Sequence, residues 1–276
     1  MATSVREPTG PRFWRDDALP FIEARSIHDG RQARYAKHAH ETFSIGMVMS
    51  GRCTYLNGKT RQRIGAGAVV VMNPGDAHAC NPSHDERWAY RMLYVDVPWL
   101  TDIQQELDAG GSPRFRPFST TVTTQPELYA GLHRLYNVLT DQQSEHLQKH
   151  SAALTFMALV QQTLNPAPAL APRHGLPGLV RAAEFIRDNY ARPLKLDEIC
   201  SAAELSPSYL IRAFKEKYGF TPHAYLTNCR IEFSRSQLRR GRPIAEVALA
   251  AGFSDQAHLQ RSFKKFVAAT PGQYRV

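Results

Sequence analysis

The feature that most restricts this 276-residue chain is a pattern written twice into its last hundred residues. Leu196, Ile199, Cys200, Ala203, Leu205 and Ser206 correspond to Ile244, Val247, Ala248, Ala251, Phe253 and Ser254, 48 residues later. After a one-residue insertion, Leu210, Arg212, Phe214, Lys215, Thr221, Pro222 and Tyr225 correspond to Leu259, Arg261, Phe263, Lys264, Thr270, Pro271 and Tyr274. Two copies are too few to stack as a solenoid, and each reads as a short helix, a tight turn and a second helix.

In the first copy Leu196–Ala203 is an apolar-faced helix, Glu204, Leu205 and Ser206 make the turn, and Pro207–Tyr218 is the second helix. Ser206 is an expected N-cap, with Pro207 at the first helical position, where its missing N–H costs nothing. In the second copy residues 244–251 precede the turn Gly252, Phe253 and Ser254, and residues 255–266 follow, capped by Ser254 or Asp255. Helical spacing buries Leu210, Phe214 and Tyr218 on one second helix, and Leu259, Phe263 and Phe266 on the other. Ser208, Tyr209, Arg212 and Lys215 are left outward on the first, and Gln256, Ala257, Gln260, Arg261, Lys264 and Lys265 on the second. A merely solvated face would intersperse acids, yet Glu216 and Asp255 are the only ones there. Arg grips guanine bidentately, Gln does the same with adenine, and Lys neutralises phosphate, so these faces suit helices lying in DNA major grooves. Residues 222–240 form a long helical stretch that fixes the spacing of the two units.

Charge agrees with this division. Residues 176–276 hold 16 Lys+Arg against 9 Asp+Glu, whereas residues 1–175 hold 18 against 16, so the half that faces a polyanion is the C-terminal one. No apolar run is long enough to span a bilayer and residues 1–20 lack a signal-peptide pattern, so a soluble cytoplasmic protein with no membrane partner is expected. The four cysteines form no C-x-x-C pair and read as reduced thiols.

The runs LSPSYLIRAFKEKYGFTPHAYL, RIEFSRSQL and IAEVALAAGFSDQAHLQRSFKKFVAATPGQYR resemble the DNA-binding domain of the arabinose-regulator (AraC/XylS-type) transcription factors across residues 176–275. The resemblance implies a transcription regulator that binds double-stranded DNA. It also places Ser208 and Arg212, with Gln256, Ala257, Gln260 and Arg261, at base-reading positions. Ser208 and Ile211 are weaker readers than the long or aromatic side chains of some members, which implies that the second unit contributes as much specificity as the first, or more.

Upstream, residues 165–176 carry three prolines and no periodicity and read as a linker. Before it, Pro126–Thr140 and residues 144–164 repeat apolar residues at helical spacing and form a helical hairpin over 119–164. That hairpin either packs on the preceding domain or supplies a homodimer interface through Leu147, Leu154, Met157 and Val160. Residues 43–49, 52–57, 59–64, 68–72 and 88–95 are short β-rich runs separated by turn signals, Asn57-Gly58 among them, and imply a small sandwich or barrel. The expected class is α+β with two domains: an arm (1–20), a barrel (21–118), the hairpin, the linker, and an all-α domain (177–276) with two helix-turn-helix units.

Within residues 35–81, His38-Ala39-His40 and the run Asn73-Pro74-Gly75-Asp76-Ala77-His78 resemble the cupin barrels that precede this DNA-binding domain in the sugar-regulator class. Three imidazoles at one barrel mouth suit a divalent metal. However, Ser44 stands where enzymatic cupins place a glutamate ligand, and Glu41 is adjacent to His40 instead. His38, His40 and His78 are therefore read as polar groups of an effector pocket, with no metal or other cofactor expected. Trp88, Tyr90, Met92 and Tyr94 alternate onto one face of a strand, with Arg91 on the other, and Trp88 and Tyr90 join the expected pocket. A small-molecule effector, an amino acid or related metabolite by resemblance of FSIGMVMSGRCTY and MNPGDAHACNP to export-gene regulators, is expected to alter promoter occupancy or recruitment of RNA polymerase. The chain is not expected to be an enzyme. Two rivals are a cupin metalloenzyme with a DNA-binding tail and a constitutive DNA binder with a structural barrel.

Overall fold

A computed structural model describes residues 10–82, 87–107, 114–164 and 176–275. Among them, two antiparallel sheets form the N-terminal half. One has the order β1 (Arg12–Trp14), β2 (Ile22–Ile27), β8 (Ala89–Val95), β3 (Phe43–Ser50), β6 (Val69–Met72) and β9 (Val122–Thr123). The other has β5 (Thr60–Gly65), β4 (Arg52–Asn57) and β7 (His78–Pro82). Helices α1 (Val97–Leu107), α2 (Pro126–Thr140) and α3 (His146–Leu164) cover the larger sheet.

This layering explains why β3 reads FSIGMVMS and is buried along nearly all its length. Phe43, Ile45 and Met47 pack outward against Leu128, Leu132, Met157 and Val160 of the helical layer. Val48 instead joins Tyr55, Val70, Met72, Trp88 and Tyr90 in the core between the sheets. Strands sandwiched on both faces lose the polar alternation of an exposed sheet. Gly46 faces that inner core by register with Met92, and a Cβ there would stand 2.9 Å from the Arg91 carbonyl oxygen, so a side chain would force the neighbouring strand to shift.

The helical hairpin resolves in favour of packing for most of its second stripe: Met157, Val160 and Leu164 are buried, whereas Leu147 and Leu154 are exposed. Arg12–Trp14, from the segment read as an arm, pair with β2 as an edge strand, and residues 1–9 lie outside the described residues. The proline-rich linker at 165–175 also lies outside them.

The C-terminal half is helical throughout: α4 (Pro177–Asn189), α5 (Leu196–Ala203), α6 (Pro207–Tyr218), α7 (Pro222–Arg239), α8 (Ile244–Ala250), α9 (Gln256–Val267) and α10 (Pro271–Arg275). Two small cores flank α7. Its Leu226 packs with Leu179, Ile186, Ile199, Leu210 and Phe214, and its Ile231 and Leu238 pack with Val247, Leu259, Phe263 and Tyr274. The 18 residues of α7 therefore form a rigid spine of about 27 Å at 1.5 Å per residue. No helix among the described residues is long and apolar enough to cross a membrane.

Candidate nucleic-acid interface and effector pocket

Both units have the geometry expected of the repeat. In the first, the turn passes through Glu204 at φ +55°, and the matching residue of the second is Gly252 at φ +81°. The left-handed residue redirects the chain between the paired helices. Ser206 occupies the N-cap of α6 with extended backbone but makes no side-chain cap bond. Asp255, rather than Ser254, caps α9, its carboxylate accepting the His258 N–H at 2.6 Å. That bond holds the Asp255 carboxyl below its ordinary range.

Leu210, Phe214, Leu259 and Phe263 are wholly buried, while Tyr218 and Phe266 are only half-buried and Val267 closes the α9 core. Ser208, Arg212 and Lys215 on α6, and Gln256, Ala257, Gln260, Arg261 and Lys264 on α9, are all exposed. Tyr209 is half-buried, with the Arg212 guanidinium 5.9 Å from its ring centre. Each second helix thus presents hydrogen-bond donors outward from an apolar stripe.

In the barrel, the three histidines meet. His38 and His78 exchange backbone hydrogen bonds at 2.8 and 2.9 Å, which joins the H-x-H segment to β7. Ring centres lie 4.4 Å (His38 to His78), 4.8 Å (His38 to His40) and 5.0 Å (His40 to His78) apart. All three are buried, and loss of hydration pushes each imidazole below its ordinary pKa, His38 and His40 strongly so. They line a cavity of about 40 Å³ with Trp88, just before β8, and with Tyr90, Met92 and Tyr94 on one face of β8. Arg91, on the opposite face, stacks over Tyr136 and donates to Asn137. Trp88 is fixed by its indole N–H, which donates to the Gly30 carbonyl at 2.7 Å.

Several cavity residues were not singled out from sequence. Tyr35, hydrogen-bonded to the Tyr90 hydroxyl and pushed up to about 12 by burial, comes from a loop without periodicity. Cys80 joins it, its thiol 2.9 Å from that of Cys53, so two free thiols far apart in sequence are neighbours.

The cavity also abuts the helical half. The Arg235 Nη1 of α7 donates to His40 Nδ1 at 2.8 Å and to Glu232 at 3.0 Å. Asn228 brackets the Ala39 peptide, accepting its N–H at 3.1 Å and donating to its carbonyl at 3.2 Å. Arg25 of β2, buried beside the Phe13, Tyr35 and Tyr90 rings, donates to the Val267 carbonyl at the end of α9 at 2.7 Å. Ala36 N–H donates to the Lys265 carbonyl at 2.7 Å. The sequence signal for this contact lay in charged residues set among apolar ones, Glu23 and Arg25 in IEARSI and Arg230, Glu232 and Arg235 in RIEFSRSQL.

Comparison with known proteins agrees with both halves. Residues 22–160 match the AraC-like ligand binding domain, and residues 199–276 match a helix-turn-helix domain. The uncharacterised regulator YbfI of Bacillus subtilis (strain 168) is 28% identical over 246 residues, covering 83% of each chain. SACOL0084 of Staphylococcus aureus (strain COL), also an uncharacterised regulator, is 24% identical over 269 residues. This is 94% of the present chain, which spans only about a third (34%) of that relative. The structure of unsaturated fatty acid bound ToxT from Vibrio cholerae strain SCE256 superposes with a TM-score of 0.56 at 13% identity, covering 98% of this chain and 97% of ToxT. The resemblance read from the repeat thus extends through the N-terminal half, and the chain belongs to the AraC family of DNA-binding transcription regulators with a ligand-binding domain, and not among enzymes.

Proposed function

We propose that α6 and α9 lie in successive major grooves of one DNA face. Arg212, Gln256, Gln260 and Arg261 then read base edges, Ser208, Tyr209 and Ala257 make short-range contacts, and Lys215 and Lys264 neutralise phosphate. The observation that carries this is the exposure of Ser208, Arg212, Lys215, Gln256, Gln260, Arg261 and Lys264 while Leu210, Phe214, Leu259 and Phe263 behind them are buried. The spine α7 sets the spacing. Neutralised phosphates release counterions, so affinity of the full chain for its selected target should fall steeply between about 50 and 200 mM salt. A target affinity that is flat across that range would overturn the reading.

The barrel interior, lined by His38, His40, His78, Trp88 and Tyr90, is the regulatory site in this reading, and its contacts to α7 and α9 transmit occupancy to the DNA-binding half. The fatty acid bound by ToxT supports an organic effector, and an amino acid or related metabolite remains the class suggested by sequence. Either requires the interior to open, since about 40 Å³ is far below the roughly 300–1,000 Å³ of ordinary ligand pockets. A thermal-shift series with candidate metabolites tests this: His40→Ala should abolish the stabilisation while leaving DNA affinity intact. Homodimerisation is assigned to the face of α3 that exposes Leu147 (75%) and Leu154 (39%), two turns apart on one stripe. Sedimentation of the double variant Leu147→Lys/Leu154→Lys as a monomer is the expected result. Promoter occupancy is read out through RNA polymerase.

A further inference from the structure

The three strands of the smaller sheet, β4, β5 and β7, contain no acidic residue. None occurs anywhere between Glu41 and Asp76, whereas Arg52, Lys59, Arg61 and Arg63 all fall in that interval. Register decides which way they point. Gln62 and Ile64 pair with Tyr55 and Cys53, which face the core between the sheets, so Arg61 and Arg63, opposite Leu56 and Thr54, stand on the outer face. Lys59, Arg61 and Arg63 therefore repeat about 6.8 Å apart along the edge strand, two rises of an antiparallel strand each. All three are exposed, as is Arg52 beside them. A charged edge guards against strand-to-strand aggregation, but that need alone does not select cations of one sign.

The row of cations leads to α6. The Lys59 ammonium is 3.6 Å from the Glu216 carboxylate, an exposed pair that contributes little to stability. Lys37 reaches the same place from the loop before His38. Its ammonium donates to the Gly58 carbonyl at 3.3 Å and lies 3.0 Å from where a Cβ on Gly219 would stand. Gly219 closes α6 and continues, at helical spacing, the outward stripe of Arg212 and Lys215. The reading stripe thus ends against a lysine of the barrel. Burial first, and the Lys215 ammonium second, hold the Lys37 amine below its ordinary pKa. Two ammonium groups from different halves therefore repel one another at the end of a reading helix, and an anion between them would turn that repulsion into attraction.

We propose that the barrel itself takes part in DNA binding: Lys37 and Lys215 grip one backbone phosphate between them, and Lys59, Arg61 and Arg63 follow the phosphates that flank the α6 half-site. From Lys59 to Arg63 the row spans about 13.6 Å at about 3.4 Å per residue, the length of about four base pairs at 3.4 Å each. A row of like charges at regular spacing suits a polyanion, whereas a single small anion would engage only one or two of them. These contacts fix register and orientation and carry no sequence information. A phosphate held from both halves also adds to their docking, so by linkage DNA and docking strengthen each other by the same factor. The inference rests on α6 lying in a major groove, and it extends the footprint beyond the helical half.

The test measures affinity against salt for the full-length chain on a selected duplex that holds one chain, either trimmed or extended by about five base pairs at one end or the other. Extension at one end should tighten binding and steepen the salt dependence, and extension at the other should do neither. Arg61→Gln/Arg63→Gln should remove that gain while leaving affinity for the trimmed duplex unchanged. Lys37→Gln, which keeps a donor for the Gly58 carbonyl, should lower the salt slope by about one on selected and random DNA alike, with base preference unaltered. Glu216→Gln removes the carboxylate that competes with phosphate for Lys59 and should tighten binding to the extended duplex. Far-UV circular dichroism checks that each variant folds. Equal effects of extension at both ends, or slopes for Lys37→Gln and the double variant that match wild type, overturn the proposal. Inorganic phosphate bound by wild type but not by Lys37→Gln, with duplex slopes unaltered, makes the lysine pair a small-anion site and also overturns it. A steep salt dependence that survives in every variant leaves the groove reading of α6 and α9 standing and removes only this inference.

Discussion

Replacing Gly252 by alanine should unfasten the second DNA-reading unit, and the size of the effect follows from three terms. The residue sits at φ +81°, where a Cβ costs about 1–2 kcal/mol. That Cβ would also stand 2.6 Å from the Ala191 carbonyl oxygen and 2.9 Å from that of Tyr190, distances that force the backbone after α4 to move. The Tyr190 carbonyl accepts from Arg230 Nε of α7 at 2.8 Å, a charged hydrogen bond worth about 1.5–3 kcal/mol when lost without replacement. Together these amount to about 3–5 kcal/mol, enough to unfold or displace α8 and α9. The first unit provides the internal control. Glu204 holds the equivalent place at φ +55° with its side chain 80% exposed and paired with Arg181 at 3.2 Å. Glu204→Gly relieves a left-handed strain of about 1–2 kcal/mol and gives up an exposed pair worth at most about 1 kcal/mol, so stability should hold or rise slightly. Urea unfolding of the full chain by far-UV circular dichroism, with DNA affinity measured in parallel, reads both variants. A Gly252→Ala protein as stable as wild type, with unaltered DNA affinity, would refute the argument that the two carbonyls leave no room.

Three further outcomes are expected. Arg261→Ala should cost about 1–3 kcal/mol at a selected target and relax preference at particular base pairs, whereas Lys264→Ala should weaken selected and random DNA alike. Equal losses on both DNAs for Arg261→Ala would reassign it to phosphate contact. Arg25→Met removes the buried guanidinium that ties β2 to the Val267 carbonyl, so calorimetry should resolve separate transitions for the two halves, and an unchanged single transition would show that the tie is dispensable. Trp88→Phe deletes the indole N–H held by Gly30, and the barrel should melt several degrees lower; no change in Tm would argue against that anchor.

Much of the helical half was legible because its signals are local. Prolines at the starts of α6 and α7, the left-handed turn position and the i, i+4 apolar spacing depend on residues within one or two turns. The spacing of Leu179, Ala182, Ala183 and Ile186 carries the same signal for α4, which the reading passed over because it follows directly on the proline-rich run. The strand β7, HACNP, gave no strand signal, since Asn and Pro are poor formers and its pairing comes from β4, more than twenty residues earlier. β2 escaped for a related reason: Glu23 and Arg25 look solvent-facing, and they are buried only because α7, α9 and α10 close over them.

What the sequence determined alone was the repeat, and with it two reading helices on a common spine, because helix periodicity and caps are set by near neighbours. It also held the histidines, but as three unconnected residues. That their rings meet depends on the backbone pairing of His38 with His78, 40 residues apart. That His40 answers to the DNA-binding half depends on Arg235, a further 195 residues along the chain. No local rule encodes either distance: strand register and the docking of α7 bring these groups together, and only in the folded chain do His40, Arg235 and Glu232 become partners.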